Sequence, residues 1–247
     1  SKRGKCHMVD FTMSLAGIPI GVSGIYPTTL RLCQDYLTDE TPAFTVVMTR
    51  EALIAEQAFS ARQDELAGVA PRRFSDSYLE GLALYRAVAE RLIGYDTIVF
   101  HGSALVVEGE VFVFTAPSGT GKTTHTRLWL DLIPGAYVLN GDKPLLKFDS
   151  DRFLVCGTPW QGKENYGCNE ILPLRAVCVL GRAKENTITK IKLSDALETL
   201  LRQTYTPVNE FLRVLRLLEK FATVDLYRLG CNLEPEAAWV CYRGMTE

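Results

Sequence analysis

Ala116-Pro117-Ser118-Gly119-Thr120-Gly121-Lys122-Thr123-Thr124 is the stretch on which the reading of this chain turns. It follows the apolar run Val111-Phe112-Val113-Phe114, which reads as a buried strand. It leads into His125-Thr126-Arg127-Leu128-Trp129-Leu130, the opening turns of a helix. Strand, glycine-rich loop, Lys-Thr and helix is the context in which a Walker A match has physical meaning. Gly119 and Gly121 can take positive φ without a Cβ penalty, turning successive N–H groups inward into an anion nest. The amino end of the helix adds partial positive charge. Ser118, Gly119, Thr120, Gly121, Lys122, Thr123 and Thr124 are therefore the expected phosphate- and cofactor-binding residues. Lys122 would reach the terminal phosphates of a nucleoside triphosphate, and the Thr123 hydroxyl would hold Mg2+. The strict pattern opens on Gly, and Ala116 stands in that place. A Gly-Ser-Gly linker preceding a lysine is the competing reading, against which the flanking strand and helix weigh.

At 247 residues the chain suits one large domain, or a core domain with a smaller companion. Apolar residues make up 47% and charged residues 23%, enough for a sizeable core and unlike a disordered chain. The formal net charge is -2 and no basic run or stripe is present, so a nucleic-acid partner is not expected. No apolar segment approaches the ~20 residues that a bilayer span needs, so no membrane partner is expected either. Cys6, Cys33, Cys156, Cys168, Cys178, Cys231 and Cys241 are scattered, mostly among apolar neighbours, and lack zinc-ligand spacing. Reduced core thiols and a cytoplasmic location follow as expectations.

Two segments differ in character. Residues 1–94 read as a small N-terminal α/β unit. Strands are expected at Val9–Leu15 and from Ile18, then a helix over Thr28–Leu37, a strand at Phe44–Met48, and a helix over Glu51–Glu65 capped by Thr49. A strongly periodic helix opens at Ser75 or Ser77 and runs through Leu92. Residues 95–247 read as the nucleotide-binding domain. Its strands are expected at Thr97–His101, Ala104–Val107, the run before the glycine loop, Ala136–Leu139, Leu145–Phe148, Phe153–Val155, Arg175–Leu180, Thr187–Ile191 and Val224–Arg228. Helices are expected after a Ser194 cap, over Phe211–Phe221, and from Pro235. Glu108-Gly109-Glu110 is a tight turn, which makes the glycine-loop strand antiparallel to the one before it. That hairpin argues for a mixed sheet and against a doubly wound parallel one.

Tyr137-Val138-Leu139-Asn140-Gly141-Asp142-Lys143 is a second constellation: an apolar strand ending in an acid, as a Walker B carboxylate requires. Asn-Gly-Asp is also an ordinary turn sequence. Asp142 is the expected metal ligand, and Asn140 either touches a metal-bound water or caps the turn.

His101-Gly102, an apolar strand, a glycine turn, Phe112-Val113-Phe114-Thr115-Ala116, Ser118-Gly119-Thr120-Gly121-Lys122 and a strand ending near Asp142 together resemble the HPr serine kinase/phosphorylase catalytic domain. Ser118–Thr124 also looks like the ATP loop of phosphoenolpyruvate carboxykinase, whose fold that kinase shares. The resemblance covers residues 97–160 well, and the histidine-glycine pair one hairpin ahead of the loop is its most specific part. It implies a mixed-sheet ATP-binding core, Mg2+, and phosphoryl transfer to a hydroxyl. By position it gives Lys122 and Thr123 to phosphates and metal, sets Asp142 on the second acid of the family's Asp-Asp pair, and puts His101 near the reacting phosphate. Because the resembled kinases assemble into rings, it also implies a homo-oligomer. Two positions depart. The family's first acid is Gly141 here, and its Glu-x-Arg-Gly signature appears as Leu154-Val155-Cys156-Gly157. What carries over is the nucleotide half of the site.

Gly157–Asn169 is rich in functional groups and, on this strand reading, leaves the sheet on the Asp142 side. Lys163 is a candidate for the positive charge missing at Cys156, and Glu164 for the base missing at Gly141. Trp160 or Tyr166 is a candidate for stacking. A surface loop held by Gly and Pro turns is the plainer reading. His125 reads as helix packing and Arg202-Gln203-Thr204-Tyr205 as an exposed helix end. Arg182 and Lys184 are candidates to border an adenine pocket, with a charged hairpin turn as the simpler reading.

The expected protein is an ATP- and Mg2+-dependent kinase of the HPr kinase/carboxykinase type acting on a hydroxyl of a peptide, protein or small molecule. His101, Asp142, Lys163 and Glu164 form its catalytic set, and Thr123 and Asp142 hold its metal. The alternative is a catalytically reduced ATP-binding regulator or ATPase. Carboxykinase-type chemistry ranks below both.

Overall fold

Val9–Leu15 (β1) and Ile18–Gly24 (β2) pair antiparallel across a two-residue turn at Ala16 and Gly17, whose φ values are 54° and 74°. Both turn residues in the left-handed region match the twist of the flanking strands. The computed structural model describes residues 8–117 and 119–247. Contacts divide the chain into two units, Ser1–Arg91 and Leu92–Glu247. Among the described residues no helix is long and apolar enough to cross a membrane.

In the first unit, Phe44–Val47 (β3) adds parallel to β2, completing a sheet of order β1-β2-β3. Pro27–Leu32 (α1) is shorter than expected; the remainder is a separate 3-10 turn at Gln34–Tyr36 that buries the Tyr36 ring. The α1 N-cap, Tyr26, makes no side-chain cap. A buried carboxylate from elsewhere does the capping instead. Glu80 accepts the N–H groups of Ile25 and of Tyr26 (3.0 Å) and the Thr29 hydroxyl. It sits on Asp76–Leu92 (α3), where the Ser75 hydroxyl accepts from the Tyr78 N–H at 3.3 Å. Arg50–Leu66 (α2) is capped as expected: Thr49 accepts from the Ala52 N–H at 3.2 Å.

In the second unit the strands are Thr97–Val99 (β4), Ser103–Val107 (β5), Glu110–Thr115 (β6), Tyr137–Asn140 (β7), Leu145–Asp149 (β8), Arg152–Cys156 (β9), Ile171–Arg182 (β10), Thr187–Ile191 (β11) and Asp225–Cys231 (β12). They follow the order β4-β8-β9-β10-β6-β5-β7, with β12 between β10 and β11. β5 and β6 are antiparallel through the Glu108-Gly109 turn, whereas β6 and β12 run parallel to β10. The sheet is therefore mixed and the fold is α/β.

β6 shows why the glycine-loop strand reads as unbroken hydrophobicity. Val111 and Val113 enter the core layer on one face, with Leu200, Leu218 and Phe221; Phe112 and Phe114 enter the layer on the other, with Trp129, Cys241 and Met245. A strand covered on both faces has no polar side to alternate with. Leu193–Gln203 (α5) and Phe211–Glu219 (α6) supply the first layer; Lys122–Leu132 (α4) and Glu236–Thr246 (α7) supply the second.

Several boundaries in this unit differ from expectation, and β10 runs over Ile171–Arg182 where Arg175–Leu180 is expected. β4 stops at Val99, so His101 lies beyond the ladder. α5 begins at Leu193 on Lys192 with no side-chain cap, and the Ser194 hydroxyl turns to Asp195 instead. α6 ends at Glu219 and passes into a 3-10 turn, Lys220–Thr223, because Phe221 is drawn into the core. The described cysteines are free thiols; burial pushes Cys33 and Cys156 up to about 12, which makes them inert. Cys6 lies outside the described residues.

Candidate functional site

The register of the sheet gathers four loops at one edge. Val179 of β10 lies opposite Thr115 of β6, and Ser103 of β5 opposite Phe114. β7 is antiparallel to β5 and so runs with β6 and β10. The carboxyl ends of β6, β7 and β10 thus meet the start of β5, where α/β proteins place their ligands.

In the loop after β6, Ala116 is buried among the core residues beside Trp129 and has no positive φ, so this chain does not need the glycine that opens the strict pattern. Gly119 has φ 77° with no atom within 4 Å of the place a Cβ would take, and Gly121 has φ 113°. Thr120 closes the turn by giving both its N–H (3.2 Å) and its hydroxyl (2.7 Å) to the Pro117 carbonyl. α4 then starts at Lys122 with no side-chain cap, leaving its first-turn N–H groups without intrahelical acceptors. Thr123 is exposed and Thr124 half-buried; Ser118 lies outside the described residues. Below the loop, the Trp129 indole donates to His125 Nε2 at 3.0 Å, and burial lowers the His125 pKa to about 4. His125 is packing, as expected of it.

The Arg182 guanidinium donates to the carbonyls of Gly119 and Thr120. The simpler expectation of a hairpin turn does not hold, because β12 lies between β10 and β11; the parallel β6–β10 pairing brings Arg182 to the loop.

Three expected residues converge. Lys122 Nζ is 3.4 Å from His101 Nε2, and that nitrogen is 3.2 Å from Asp142 Oδ1. Lys143 pairs with the other Asp142 oxygen. Burial of Asp142 acts to raise its pKa, but the hydrogen bonds and charge of His101 and Lys143 outweigh it and hold the carboxyl well below the usual carboxylate range. Burial lowers the Lys122 pKa, with Asp142 pulling the other way.

Gln203 completes this group. Its carbonyl accepts the His101 N–H at 2.7 Å, and its side-chain oxygen lies 2.9 Å from His101 Nδ1. The expectation for Gln203 is an exposed helix end, and the structure half-buries it against His101 instead. An isolated bridge between Phe100 and Thr204 clips the end of α5 to the His101 segment, and no sequence spacing signals a contact 102 positions apart.

The buried Asn140 side chain shapes the turn that carries Asp142. Its oxygen accepts the N–H groups of Asp142 (2.9 Å) and Lys143 (2.7 Å), while its amide donates to the Thr158 carbonyl (3.2 Å) and hydroxyl (3.0 Å). Of the two roles open to Asn140, turn capping is the one it fills. Thr158 belongs to the 157–169 loop, which does lie on the Asp142 side. The Gly141 N–H donates to the Tyr166 carbonyl at 2.9 Å, and a Cβ on Gly162 would come within 2.9 Å of Asp142 Cβ. Lys163 and Glu164 follow directly and are both exposed; Glu164 accepts from Arg127 of α4 at 3.1 Å. Trp160 is half-buried and Tyr166 is 42% exposed.

The residues present suit a triphosphate: an open loop, uncapped helix amides and a lysine at its start. For a metal they offer the Thr123 hydroxyl and one carboxylate, Asp142; among the described residues no group of three His, Cys, Asp or Glu side chains is placed to hold an ion. Such a donor set fits Mg2+ that takes most of its ligands from phosphate oxygens and water.

No protein-family model matches the chain, and no curated protein matches it. Among solved structures it is similar to the Hpr(Ser) kinase/phosphatase from Coxiella burnetii, at 12% identity with a TM-score of 0.31, over 49% of this chain and 93% of that one. This is a weak fold-level link and carries no argument about chemistry. The α/β mixed-sheet architecture stands on the topology described above.

Proposed function

We propose that this protein is an ATP- and Mg2+-dependent phosphotransferase that moves the γ-phosphoryl group to a hydroxyl. The observation that carries the reading is the convergence of Lys122, His101 and Asp142 on a glycine loop whose helix starts without a cap. The loop amides and Lys122 hold the phosphates, countering their charge at a helix amino end. Thr123 and Asp142 hold Mg2+, which supplies charge neutralisation of the phosphates when bound. Gln203 orients the His101 ring, whose Nε2 faces Lys122 and Asp142 near the transferred group. Asp142, ionised and strongly acidic, is a weak base by Brønsted reasoning, so proton removal from the acceptor falls to Glu164, with Lys163 beside it. The acceptor is a peptide, a protein or a metabolite, and the place of action is the cytoplasm.

One observation favours a second reading, a nucleotide-binding regulator with reduced catalysis. Gly141 supplies no carboxylate, and Lys143 already occupies one oxygen of Asp142. Incubation with γ-labelled ATP and Mg2+, with and without size-fractionated lysate, separates the two. Label moving to an acceptor, abolished by Lys122→Ala, supports the transferase. Bound ATP or slow phosphate release in every fraction supports the regulator, and unchanged ATP binding by Lys122→Ala defeats both. If Glu164→Gln leaves transfer intact, the base is not Glu164.

A further inference from the structure

The first unit holds a cleft of about 570 Å3 between α2 and the segment that leads to α3, lined among others by Arg50, Leu53, Ile54, Ala58, Arg73 and Phe74. The lining segment is held in place rather than collapsed onto the helix. Gln57 takes the Phe74 N–H (3.0 Å) and gives its amide to the Arg72 carbonyl (2.9 Å), and the buried Asp64 carboxylate binds the Arg72 N–H (2.9 Å) and guanidinium (2.7 Å). Behind these clamps apolar surface stays open, with Ile54 69% exposed. The charges do not balance. Arg72 is matched by Asp64 and Arg50 by Asp76 at 3.6 Å, but among the described residues Arg73 has no carboxylate partner, in a chain whose net charge is -2.

We infer that this cleft binds a small organic anion with an apolar body, such as a medium-chain carboxylate. Its charge meets Arg73, while Asp76, also in the lining, is paired with Arg50, and its body lies on Leu53, Ile54 and Ala58. An arginine beside an apolar wall recognises such a molecule by a charge-assisted hydrogen bond at one end and burial at the other. The cleft has the volume of a site for one small molecule rather than of a protein interface. The inference goes beyond the proposed phosphoryl transfer and does not rest on it.

The test is fluorescence titration of the full chain with 8-anilinonaphthalene-1-sulfonate, its neutral twin N-phenyl-1-naphthylamine, and decanoate as competitor. The expected result is one saturable sulfonate site, at least tenfold weaker for the neutral twin, displaced by decanoate, and unaffected by Lys122→Ala. Arg73→Glu, an exposed change that leaves the clamps intact, and Ile54→Glu are each expected to weaken it at least tenfold without altering the thermal midpoint. Equal binding of the neutral twin, or full affinity in Arg73→Glu, overturns the inference. So does displacement by acidic peptides but not by decanoate, which would give the cleft to a protein partner.

Discussion

His101 and Asp142 meet across the mouth of the glycine loop, with His101 Nε2 3.2 Å from Asp142 Oδ1. Because the contact and the Lys143 pair hold the Asp142 carboxyl ionised far into acid, Asp142 stabilises the fold above the ordinary carboxylate range, near pH ~3.9, and loses that contribution as pH falls below it. Asp142→Asn should cost about 1–3 kcal/mol at pH 7, where it removes the carboxylate that pairs with Lys143 and contacts His101. The difference from the parent should shrink as pH drops through the acid range. Urea unfolding of both proteins at pH 7 and near pH 3 checks this, and a constant difference contradicts it.

His125 gives a pH dependence in a different window. Its folded pKa of about 4 lies below the unfolded value of 6.5, so the unfolded chain binds the proton first and stability falls as pH drops from 6.5 to about 4. In His125→Phe that slope should be absent, while stability at neutral pH falls by about 1–3 kcal/mol because the buried Trp129 N–H loses its acceptor. Thermal midpoints at half-unit pH intervals resolve the slope.

Gln203→Leu removes the side-chain acceptor from His101 Nδ1 while keeping the helix end apolar and similar in size. On the proposed function, ATP affinity should stay within threefold while phosphoryl transfer falls at least tenfold. A loss of binding instead, measured by titration calorimetry, would make Gln203 structural for the loop.

Gly162 has φ 79° and no room for a Cβ beside Asp142. Gly162→Ala combines backbone strain with a push on that acid, for a cost of about 1–3 kcal/mol in stability and, on the proposed function, loss of transfer. Gly119→Ala has the strain without the clash and should cost about 1 kcal/mol. Chemical denaturation of the two variants side by side tests whether space or backbone decides.

What the sequence by itself determined is whatever depends on near neighbours in the chain. Strand, glycine loop and lysine-led helix, the Glu108-Gly109 hairpin that makes the sheet mixed, the Thr49 cap and the buried run of β6 are all local in period or spacing. So is the Asp142 turn. The tertiary structure alone decided the shell around these residues. Gln203 reaches His101 because α5 returns along the sheet, Arg182 reaches the loop because β10 runs parallel to β6, and Thr158 locks Asn140 because β9 pairs with β8, setting Cys156 opposite Leu145 just past the Asp142 turn. The same holds for Glu80, a mid-helix carboxylate whose capping of α1 exists only once α3 packs against that turn. Helix ends shifted from their predicted places where a distant core drew in Tyr36 or Phe221. Contacts between residues far apart in the chain carry no periodic or spacing signal in one sequence, since the sheet register and the helix crossovers that create them are settled by burial over the whole domain.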